Sequence, residues 1–574
     1  MLQASQNERV SKYSFANRTI LIALLFTQAL LLAYLSYSTA PNRTEIGHIG
    51  AAVYLWQTGQ NDVFHVNPPL VRAVAGFPIA MFCKPNYDWT GYSPRPQDRS
   101  EWRIGNAFIA ANEPDDLRLY IFLARLACIP LILLGGYFGY RFASELYGQW
   151  SGFTFLILWT FSPLILGWGA TICPDVHAAS FGIIGLYSFW HWLKTPTWKK
   201  AIIAGMCLGL MPLTKITWII AFPIWLFVWA FYMPFKQKRQ LAAMMLFGIW
   251  TVNMGYFFEG SLRPLKDYQF ISSTLTGQEI TKGRTLAVGN RFADSWLGYV
   301  PVPFPAEFVQ GIDTQRIDFE RGMDSYAHGI WSDRGWWWYY GYVLLLREPL
   351  GVWALIIVAM FLTCFYRSAR ASWRDELTIL IPLLLAFAFI SSQEGLSINP
   401  RYVVLILPLL YILASKVASF PSITCRLLSA VFLIWVVFSS LSFYPYSMSY
   451  FNELSGKPTN YPKYLLGSNI DWGQDAYTLR AWTVKHSEAK PLYISYSSPI
   501  PLEKLSIEGD GTVPSELTPG WMVVGVNELF AKNGTLTWLK EHEPVDMAGY
   551  SIWIYHITPD VIDRLLDDRD RCPP

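Results

Sequence analysis

Residues 42–78 decide the organisation of this chain: NRTEIGHIGAAVYLWQTGQNDVFHVNPPLVRAVAGFP. The stretch follows the first long apolar run directly and carries a carboxylate, Glu45, where that run ends. A helix-like spacing of apolar residues comes next, and the rigid pair Pro68-Pro69 then interrupts it. A carboxylate at a bilayer surface, backed by an amphipathic segment, is costly unless it is used. Two interpretations are open for this stretch, a solvated loop after a membrane anchor or a functional surface.

The composition assigns the chain to the membrane proteins. Hydrophobic residues make up 52% of the sequence, and apolar runs of membrane-spanning length recur through its first three quarters. Many tryptophans and tyrosines stand at the ends of these runs, as in interfacial belts. The net charge of +3 does not suggest a nucleic-acid partner, and the scattered cysteines form no disulfide or zinc pattern. The partner that the composition predicts is the lipid bilayer.

The apolar runs predict a polytopic all-α protein with about eleven transmembrane helices, each of about 20 residues unless short or tilted. The runs are residues 19–37, 120–140, 151–168, 176–192, 201–213, 218–232, 241–258, 350–366, 377–390, 402–418 and 427–443. The first run is longer than the core of about 7–15 residues that most signal peptides have, so we interpret it as an uncleaved helix.

The basic residues predict the orientation of these helices. They concentrate in four short connections, near Lys194–Lys200, Lys236–Arg239, Arg367–Arg374 and Lys416–Arg426. Because basic loops stay inside, the N-terminus is predicted to be cytoplasmic. Residues 1–444 then form the membrane domain, with outer loops 41–118 and 259–340. Residues 445–574 form a small extracytoplasmic domain of α/β or α+β type, in which residues 491–496 and 521–526 have strand character.

Several motifs along the chain resemble one family. They are Pro68-Pro69-Leu70, FEGSLRPLKDY from Phe258, HGIWSDRGWWWYY from His328, NPRYVVLILP from Asn399, and YFNELSGKP with SNIDWGQD between Tyr450 and Asp475. Together they resemble membrane glycosyltransferases of the GT-C superfamily, in the protein O-mannosyltransferase-like or aminoarabinose-transferase-like bacterial branch. The first outer loop of that family opens with an acidic pair, whose second position Glu45 matches. This chain departs from the pattern at Thr44, the first acidic position, and at Asn67, which precedes the prolines.

The resemblance implies a function. Such enzymes move a sugar from a polyprenyl-phosphate carrier to an acceptor outside the membrane, typically with inversion at the anomeric carbon. The implied location is the bacterial cytoplasmic (inner) membrane, and the implied fold has lateral amphipathic helices in the first outer loop. A divalent metal ion is a candidate cofactor. The sugar stays open, as does the acceptor, which is a protein, a lipid or a glycan.

The resemblance and the predicted sidedness together select the candidate catalytic residues. Glu45 is interpreted as the general base or a ligand to a cation, against the alternative of an acidic residue that favours the dipole of the following helix. Asp175 is a second active-site carboxylate, or equally an N-terminal cap of the fourth span. If one carboxylate of the usual pair is missing at Thr44, the remaining one must carry the work.

Further residues are candidates for binding. The donor phosphate could be held by Arg72, Lys215, Arg334 and Arg401, although each alone could instead reach toward lipid headgroups. Lys215 and Arg401 rank first because each lies at an outer helix end. Candidates for lining the substrate site are Asn67, Trp336 and Trp337, the tryptophans having an interfacial belt as the alternative. His48 and His328 are the candidate metal ligands.

Two other classes of function fit a polytopic chain. A transporter would show ionisable residues near the bilayer midplane and paired repeats, whereas the charges here cluster at the ends of runs and no repeat is visible. A non-catalytic membrane scaffold is the other alternative, because Thr44 breaks the acidic pair.

Overall fold

Helices dominate the computed structural model, which describes residues 2–233, 235–279 and 287–562, with side chains from residue 16 onward. Parts of the predicted outer loop 259–340 and of the predicted outer domain 445–574 lie outside these residues. The first eleven helices are α1 (Leu2–Ser38), α2 (Arg43–Thr58), α3 (Pro69–Phe82), α4 (Ser100–Ala111), α5 (Pro114–Tyr147), α6 (Gln149–Phe161), α7 (Pro163–Gly169), α8 (Asp175–Lys194), α9 (Trp198–Thr214), α10 (Ala221–Tyr232) and α11 (Lys238–Gly255).

The second half of the chain continues with shorter helices and six strands. The helices are α12 (Ser273–Thr276), α13 (Ala306–Arg321), α14 (Tyr339–Arg347), α15 (Leu350–Phe365), α16 (Trp373–Ser391), α17 (Leu407–Ser415), α18 (Ile423–Phe443), α19 (Ala476–Lys485) and α20 (Val526–Leu529). The strands are β1 (Ser325–Ala327), β2 (Ile330–Ser332), β3 (Leu492–Ser495), β4 (Gly520–Gly525), β5 (Asp546–Ala548) and β6 (Ile552–Ile557).

Every apolar run of the sequence falls on helix, but the helices differ in length. Within the described residues, four are long and apolar enough to cross a membrane: Ala16–Ser38, Pro114–Tyr147, Pro400–Ser419 and Ile423–Phe443. The number rises to six if two bent pairs count as single spans, α6 with α7 (54°) and α14 with α15 (111°). The first bend has a clear cause, because Pro163 begins α7 and the Ser162 side chain caps it. The total of eleven spans and their sidedness stay predictions.

Helix α5 packs against α1, α3, α6 and α8. Two glycines allow the close approach. A Cβ at Gly135 would lie 2.4 Å from Ser180 Oγ of α8, and a Cβ at Gly139 would lie 2.0 Å from the Phe155 ring of α6. Small residues let helix backbones approach one another in this way. The helix therefore packs against neighbours on several sides, and its own position constrains theirs.

The first outer loop contains three α-helices, α2, α3 and α4. Helix α3 begins at Pro69, as the Pro68-Pro69 pair predicts. Helix α2, predicted to be amphipathic, is instead buried from Thr44 to Leu55, because α3 and α4 pack on it. The contact with α4 is made by glycines, since a Cβ at Gly50 would lie 2.9 Å from the Gly105 Cα. The sequence analysis missed α4, which lies within a polar, proline-rich stretch.

The region after α18 forms a four-stranded mixed sheet in the order β3-β4-β6-β5. Strands β3 and β4 are parallel, and β4–β6 and β5–β6 are antiparallel. The two predicted strands are present, as β3 and β4, and the predicted small sheet is confirmed. Buried residues of the sheet, such as Met522 and Val524, belong to the same hydrophobic core as the membrane helices. The sheet is thus packed onto the helices.

The predicted topology can be tested with two exposed lysines, Lys457 and Lys238. In a variant without native cysteines, Lys457→Cys should react with a membrane-impermeant maleimide added to intact cells, because residue 457 is predicted to be outside. Lys238→Cys should react only after permeabilisation, which also serves as the control that both positions are reactive. The opposite pattern would reverse the orientation and place the outer-loop site on the cytoplasmic side.

Candidate active site

A cavity of about 390 Å³ lies between the first outer loop, the α7–α8 connection, α13 and the start of the Pro400–Ser419 segment. Five of the residues predicted from the sequence line it: His48, Asn67, Asp175, Lys215 and Arg401. These residues come from five separate parts of the chain, and the fold brings them to one place. Thr44, which occupies the first acidic position of the family pattern, also lines the cavity.

A carboxylate and two cations form the charged wall of this cavity. The Lys215 Nζ donates a hydrogen bond to Asp175 Oδ1, and Arg401 Nε lies 3.7 Å from Asp175 Oδ2. Asp175 is 1% exposed and Lys215 is 7% exposed. Pro174 occupies the N-cap of α8, and Asp175 is the first residue of the helix. Within this group of three residues, two positive charges share one negative charge, and Arg99, Asp318 and Arg321 also line the cavity.

Aromatic rings hold the two cations in place. The Lys215 Nζ lies 4.5 Å from the centroid of the Tyr402 ring. The Arg401 guanidinium carbon lies 5.5 Å from the centroids of Trp168 and Tyr402. Rings attract cations through their negative faces, most strongly when water is excluded. Arg401 Nε has no hydrogen-bond partner in the part of the chain that the structure describes, so this donor is available to a ligand.

Glu45 lies next to the cavity wall but its carboxylate is fully engaged elsewhere. Oε1 accepts hydrogen bonds from Arg125 Nε at 2.9 Å and from the Ile172 amide at 3.0 Å. Oε2 accepts from Arg125 Nη2 at 2.6 Å and from the Asn42 amide at 2.9 Å, which completes a capping box at the start of α2. No atom of Glu45 is among the described lining of the cavity. Its predicted role as base stays a prediction, and the geometry favours a supporting role.

The sequence analysis missed Arg125, which is the ion-pair partner of Glu45. Its Nη1 donates to the Ser36 and Thr39 carbonyls at 3.0 and 2.9 Å, and Nη2 donates to the Ala40 carbonyl at 3.1 Å. Both Arg125 and Glu45 have side chains that are only 1% exposed. The signal was present in the sequence, because a lone arginine inside an apolar run is costly without a partner.

Arg72 lies outside the described lining of the cavity and holds a turn that contributes to the lining. Its Nη2 donates to the Asn67 carbonyl at 2.7 Å, and its guanidinium lies 5.7 Å from the Phe64 ring centroid. Burial lowers the pKa of Arg72 to about 10. Arg72 is not among the described lining residues, so the structure places it where it fixes the turn that carries Asn67.

Four other predicted residues lie away from the cavity. Arg334 is exposed, on a separate polar surface cavity of about 560 Å³. Trp337 is 69% exposed, and Trp336 packs on Trp338 with 5.4 Å between ring centroids. His328 occupies the turn between β1 and β2 at φ +55°, where its ring stacks on Tyr342 at 5.1 Å. None of the four is among the described lining residues.

The tryptophan that does reach the cavity from the C-terminal region is Trp472. Its Nε1 donates to Thr44 Oγ1 at 2.9 Å, and its carbonyl accepts from the Arg43 amide at 2.9 Å. The neighbouring Gln474 carbonyl accepts from the Ala40 amide at 2.9 Å. The segment after α18 thus returns to the junction of α1 and α2, and it completes one side of the cavity.

The residues do not fit a divalent metal ion. Among the described residues, no group of three or more His, Cys, Asp or Glu side chains could hold one. His48 and His328, the predicted ligands, lie on α2 and in the β1–β2 turn, and only His48 lines the cavity. Two cations, Lys215 and Arg401, stand beside the Asp175 carboxylate.

The chain was compared with known proteins. No family model matches it, and no curated protein matches it. It is similar to the structure of ArnT from Cupriavidus metallidurans bound to undecaprenyl phosphate, with 11% identity, a TM-score of 0.46, and coverage of 94% of this chain and 98% of that chain. It is also similar to the oligosaccharyltransferase of Archaeoglobus fulgidus tethered with an acceptor peptide, with 9% identity, a TM-score of 0.43, and coverage of 91% and 72%.

These similarities extend over most of the chain. The resemblance predicted from the motifs is to GT-C proteins of the aminoarabinose-transferase-like branch, and an ArnT structure is among the similar structures. Identities of 11% and 9% and these TM-scores assign no role to any residue. The roles discussed below rest on the cavity and on the motifs of the sequence.

The Glu45–Arg125 pair should matter for folding more than for the reaction rate. Glu45→Gln and Arg125→Met each leave a buried charge without its partner, which costs about 3–5 kcal/mol in typical proteins. The measurement is the unfolding temperature in detergent, beside transfer activity per folded molecule. Replacing both residues should destabilise by less than the sum of the two single changes, because neither charge then remains.

Glu113→Gln is the matched control, because Glu113 is an exposed acidic residue. Its unfolding temperature should stay close to that of the parent. A Glu45→Gln protein with the parental unfolding temperature but at least a hundredfold lower rate would instead make Glu45 the base.

Proposed function

We propose that this protein is a glycosyltransferase that moves a sugar from a polyprenyl-phosphate-linked donor to an acceptor on the outer side of the membrane. The observation that carries the proposal is the charged wall, in which Lys215 and Arg401 share the single carboxylate of Asp175. A cavity with this wall suits a ligand that is anionic at one point. The motifs that resemble the GT-C family support the choice of a sugar phosphate.

The phosphate of the donor fits the side of the cavity with Lys215 and Arg401. Arginine offers a planar fork that matches phosphate, and lysine offers a point charge. Arg401 Nε has no partner among the described residues, so it can donate without losing another hydrogen bond. Both cations are largely removed from water, where attraction to an anion is stronger than in bulk solvent.

A small crevice, lined partly by apolar side chains, lies beside the cavity. It has a volume of about 30 Å³ and is lined by Phe319, Phe389 and Ile390 among others. It shares Lys215 and Tyr402 with the main cavity. A donor phosphate at Lys215 would therefore have apolar side chains next to it, although the crevice itself has room for only about one water molecule.

The reaction that we propose is a single displacement. The acceptor hydroxyl oxygen forms a bond to the anomeric carbon, while the bond from that carbon to the phosphate oxygen breaks and the phosphate keeps the electron pair. Positive charge develops on the sugar and negative charge on the leaving phosphate, which Lys215 and Arg401 stabilise. The displacement inverts the anomeric carbon.

The acceptor must also lose a proton. Two carboxylates line the cavity as described, Asp175 and Asp318, and Asp318 Oδ1 already accepts a hydrogen bond from Arg99 Nη1 at 2.7 Å. Asp175 Oδ1 accepts from Lys215, whereas among the described residues Asp175 Oδ2 has only the 3.7 Å contact with Arg401 Nε. We therefore assign Asp175 Oδ2 as the proton acceptor. Glu45 is the less suitable carboxylate, since both of its oxygens already accept two hydrogen bonds.

Asp175→Asn should lower the transfer rate at least about a hundredfold, because an amide keeps the shape but cannot take the proton. The assay is mass analysis of undecaprenyl phosphate released from undecaprenyl-phosphate-linked sugars in the presence of a membrane extract. Folded protein is verified by size-exclusion chromatography and by the unfolding temperature. Parental release by this variant would move the base to another residue.

Arg401→Ala should weaken binding of the donor by about 1.5–3 kcal/mol, the usual value of a hydrogen bond to a charged group. Arg401→Lys should recover only part, because an ammonium lacks the fork. Arg334→Ala removes an arginine on the separate surface cavity and should bind the donor like the parent. Equal donor binding by all three variants would make the Arg401 guanidinium an anchor and not a phosphate ligand.

A further inference from the structure

The imidazole of His48 is buried in the cavity wall and forms no hydrogen bond with the described residues. The residue is 1% exposed, and neither ring nitrogen has a partner among the described residues. Its ring packs against Phe64 with 4.7 Å between the centroids. Two other buried histidines differ: His65 Nδ1 lies 2.7 Å from Glu307 Oε2, and His177 Nδ1 lies 3.1 Å from the Cys173 carbonyl.

An imidazole without hydrogen-bond partners is energetically costly in the wall of a cavity. A buried polar group without a partner pays the cost of desolvation, whereas an apolar ring of the same shape would not. Phenylalanine at position 48 would keep the packing on Phe64, so packing alone does not explain a histidine here. The position on the cavity wall offers the explanation, because a ligand there can supply the partners that the protein does not.

The chemistry of the ring indicates what kind of ligand group it suits. Burial, and then the nearby charges of Arg72 and Arg401, lower the pKa of His48 well below its ordinary value. The ring is therefore neutral, with one nitrogen that donates and one that accepts. A hydroxyl also donates and accepts, so it pairs with such a ring more completely than a phosphate oxygen, which only accepts.

We propose that His48 binds a hydroxyl group of the substrate in this cavity, one ring nitrogen accepting from that hydroxyl and the other donating to a neighbouring oxygen. The inference rests on the proposed function, in which the cavity holds a sugar. The hydroxyl belongs either to the sugar of the donor or to the acceptor. In both cases His48 positions the substrate while Asp175 and the two cations act on the reacting bonds.

His48→Phe in the full-length protein tests this assignment. The variant should have an unfolding temperature equal to or above that of the parent, because it removes an unpaired polar group and keeps the ring packing. Three measurements follow: binding of an undecaprenyl-phosphate-linked hexose, binding of undecaprenyl phosphate itself, and transfer with a membrane extract. His48→Gln, which retains a donor and an acceptor, should fall between His48→Phe and the parent.

The source of the hydroxyl decides which measurement changes. If it belongs to the donor sugar, His48→Phe binds the hexose-bearing donor at least tenfold more weakly and binds undecaprenyl phosphate like the parent. If it belongs to the acceptor, both ligands bind like the parent, and transfer falls at least tenfold while slow hydrolysis of the donor by water is unchanged. Either pattern, with an undiminished unfolding temperature, supports the assignment.

Other outcomes overturn it. Parental binding and parental transfer by His48→Phe would show that the ring contacts no substrate, and a lower unfolding temperature would show that its nitrogens serve the fold. His65→Phe is the matched control: it removes the contact with Glu307, so it should lower the unfolding temperature and leave donor binding unchanged. If the parent itself binds neither lipid, the proposed function fails and this inference fails with it. If the parent binds the donor, and His48→Phe binds and transfers like the parent, only the inference about His48 fails.

Discussion

The buried pair of Glu45 and Arg125 is the interaction on which the site depends. Burying two charges costs more than their attraction returns unless the remaining hydrogen-bonding groups are also satisfied. Here the Glu45 oxygens accept four hydrogen bonds, and Arg125 also donates to carbonyls at the end of α1. One pair of side chains thereby joins α1, α2, α5 and the α7–α8 connection. The cost of burying the pair is offset because the same two side chains fix all four of these segments together.

Asp175 owes its position to that junction. The Ile172 amide donates to Glu45 Oε1, and three residues later Asp175 begins α8 and meets Lys215. Arg401 approaches from a distant part of the chain and completes the charged wall. Glu45, which supports the site, and Asp175, which lines it, are thus different residues. A site that needs both an exact position and a reactive oxygen can divide these tasks, since an oxygen with two hydrogen bonds is rigid and one with a single long contact is available.

Much of the framework could be predicted from the sequence because its signals are local. Apolar runs marked the helices, Pro68-Pro69 marked the start of α3, and alternating apolar residues marked β3 and β4. Lys215, Asp175 and Arg401 could be selected because each lies at a predicted outer helix end. The assignments that changed depend on contacts between distant residues. Glu45 and Arg125 are 80 residues apart, and Trp472 and Thr44 are 428 apart. The residue pattern of one segment carries no information about the distant segment that it contacts. For that reason neither the partner of Glu45 nor the contact of Trp472 could be predicted.

The contact between Trp472 and Thr44 also affects the order in which the cavity is assembled as the chain is synthesised. Ribosomes make the chain from its N-terminus, so the residues of the α1–α2 junction, of the charged wall and of all the helices up to α18 are synthesised before Trp472. The cavity gains Trp472 only when the segment after α18 has folded back across the earlier part. An incomplete chain would therefore carry the charges of the site without its finished enclosure. The segment after α18 therefore contributes to the cavity later than the charged residues do.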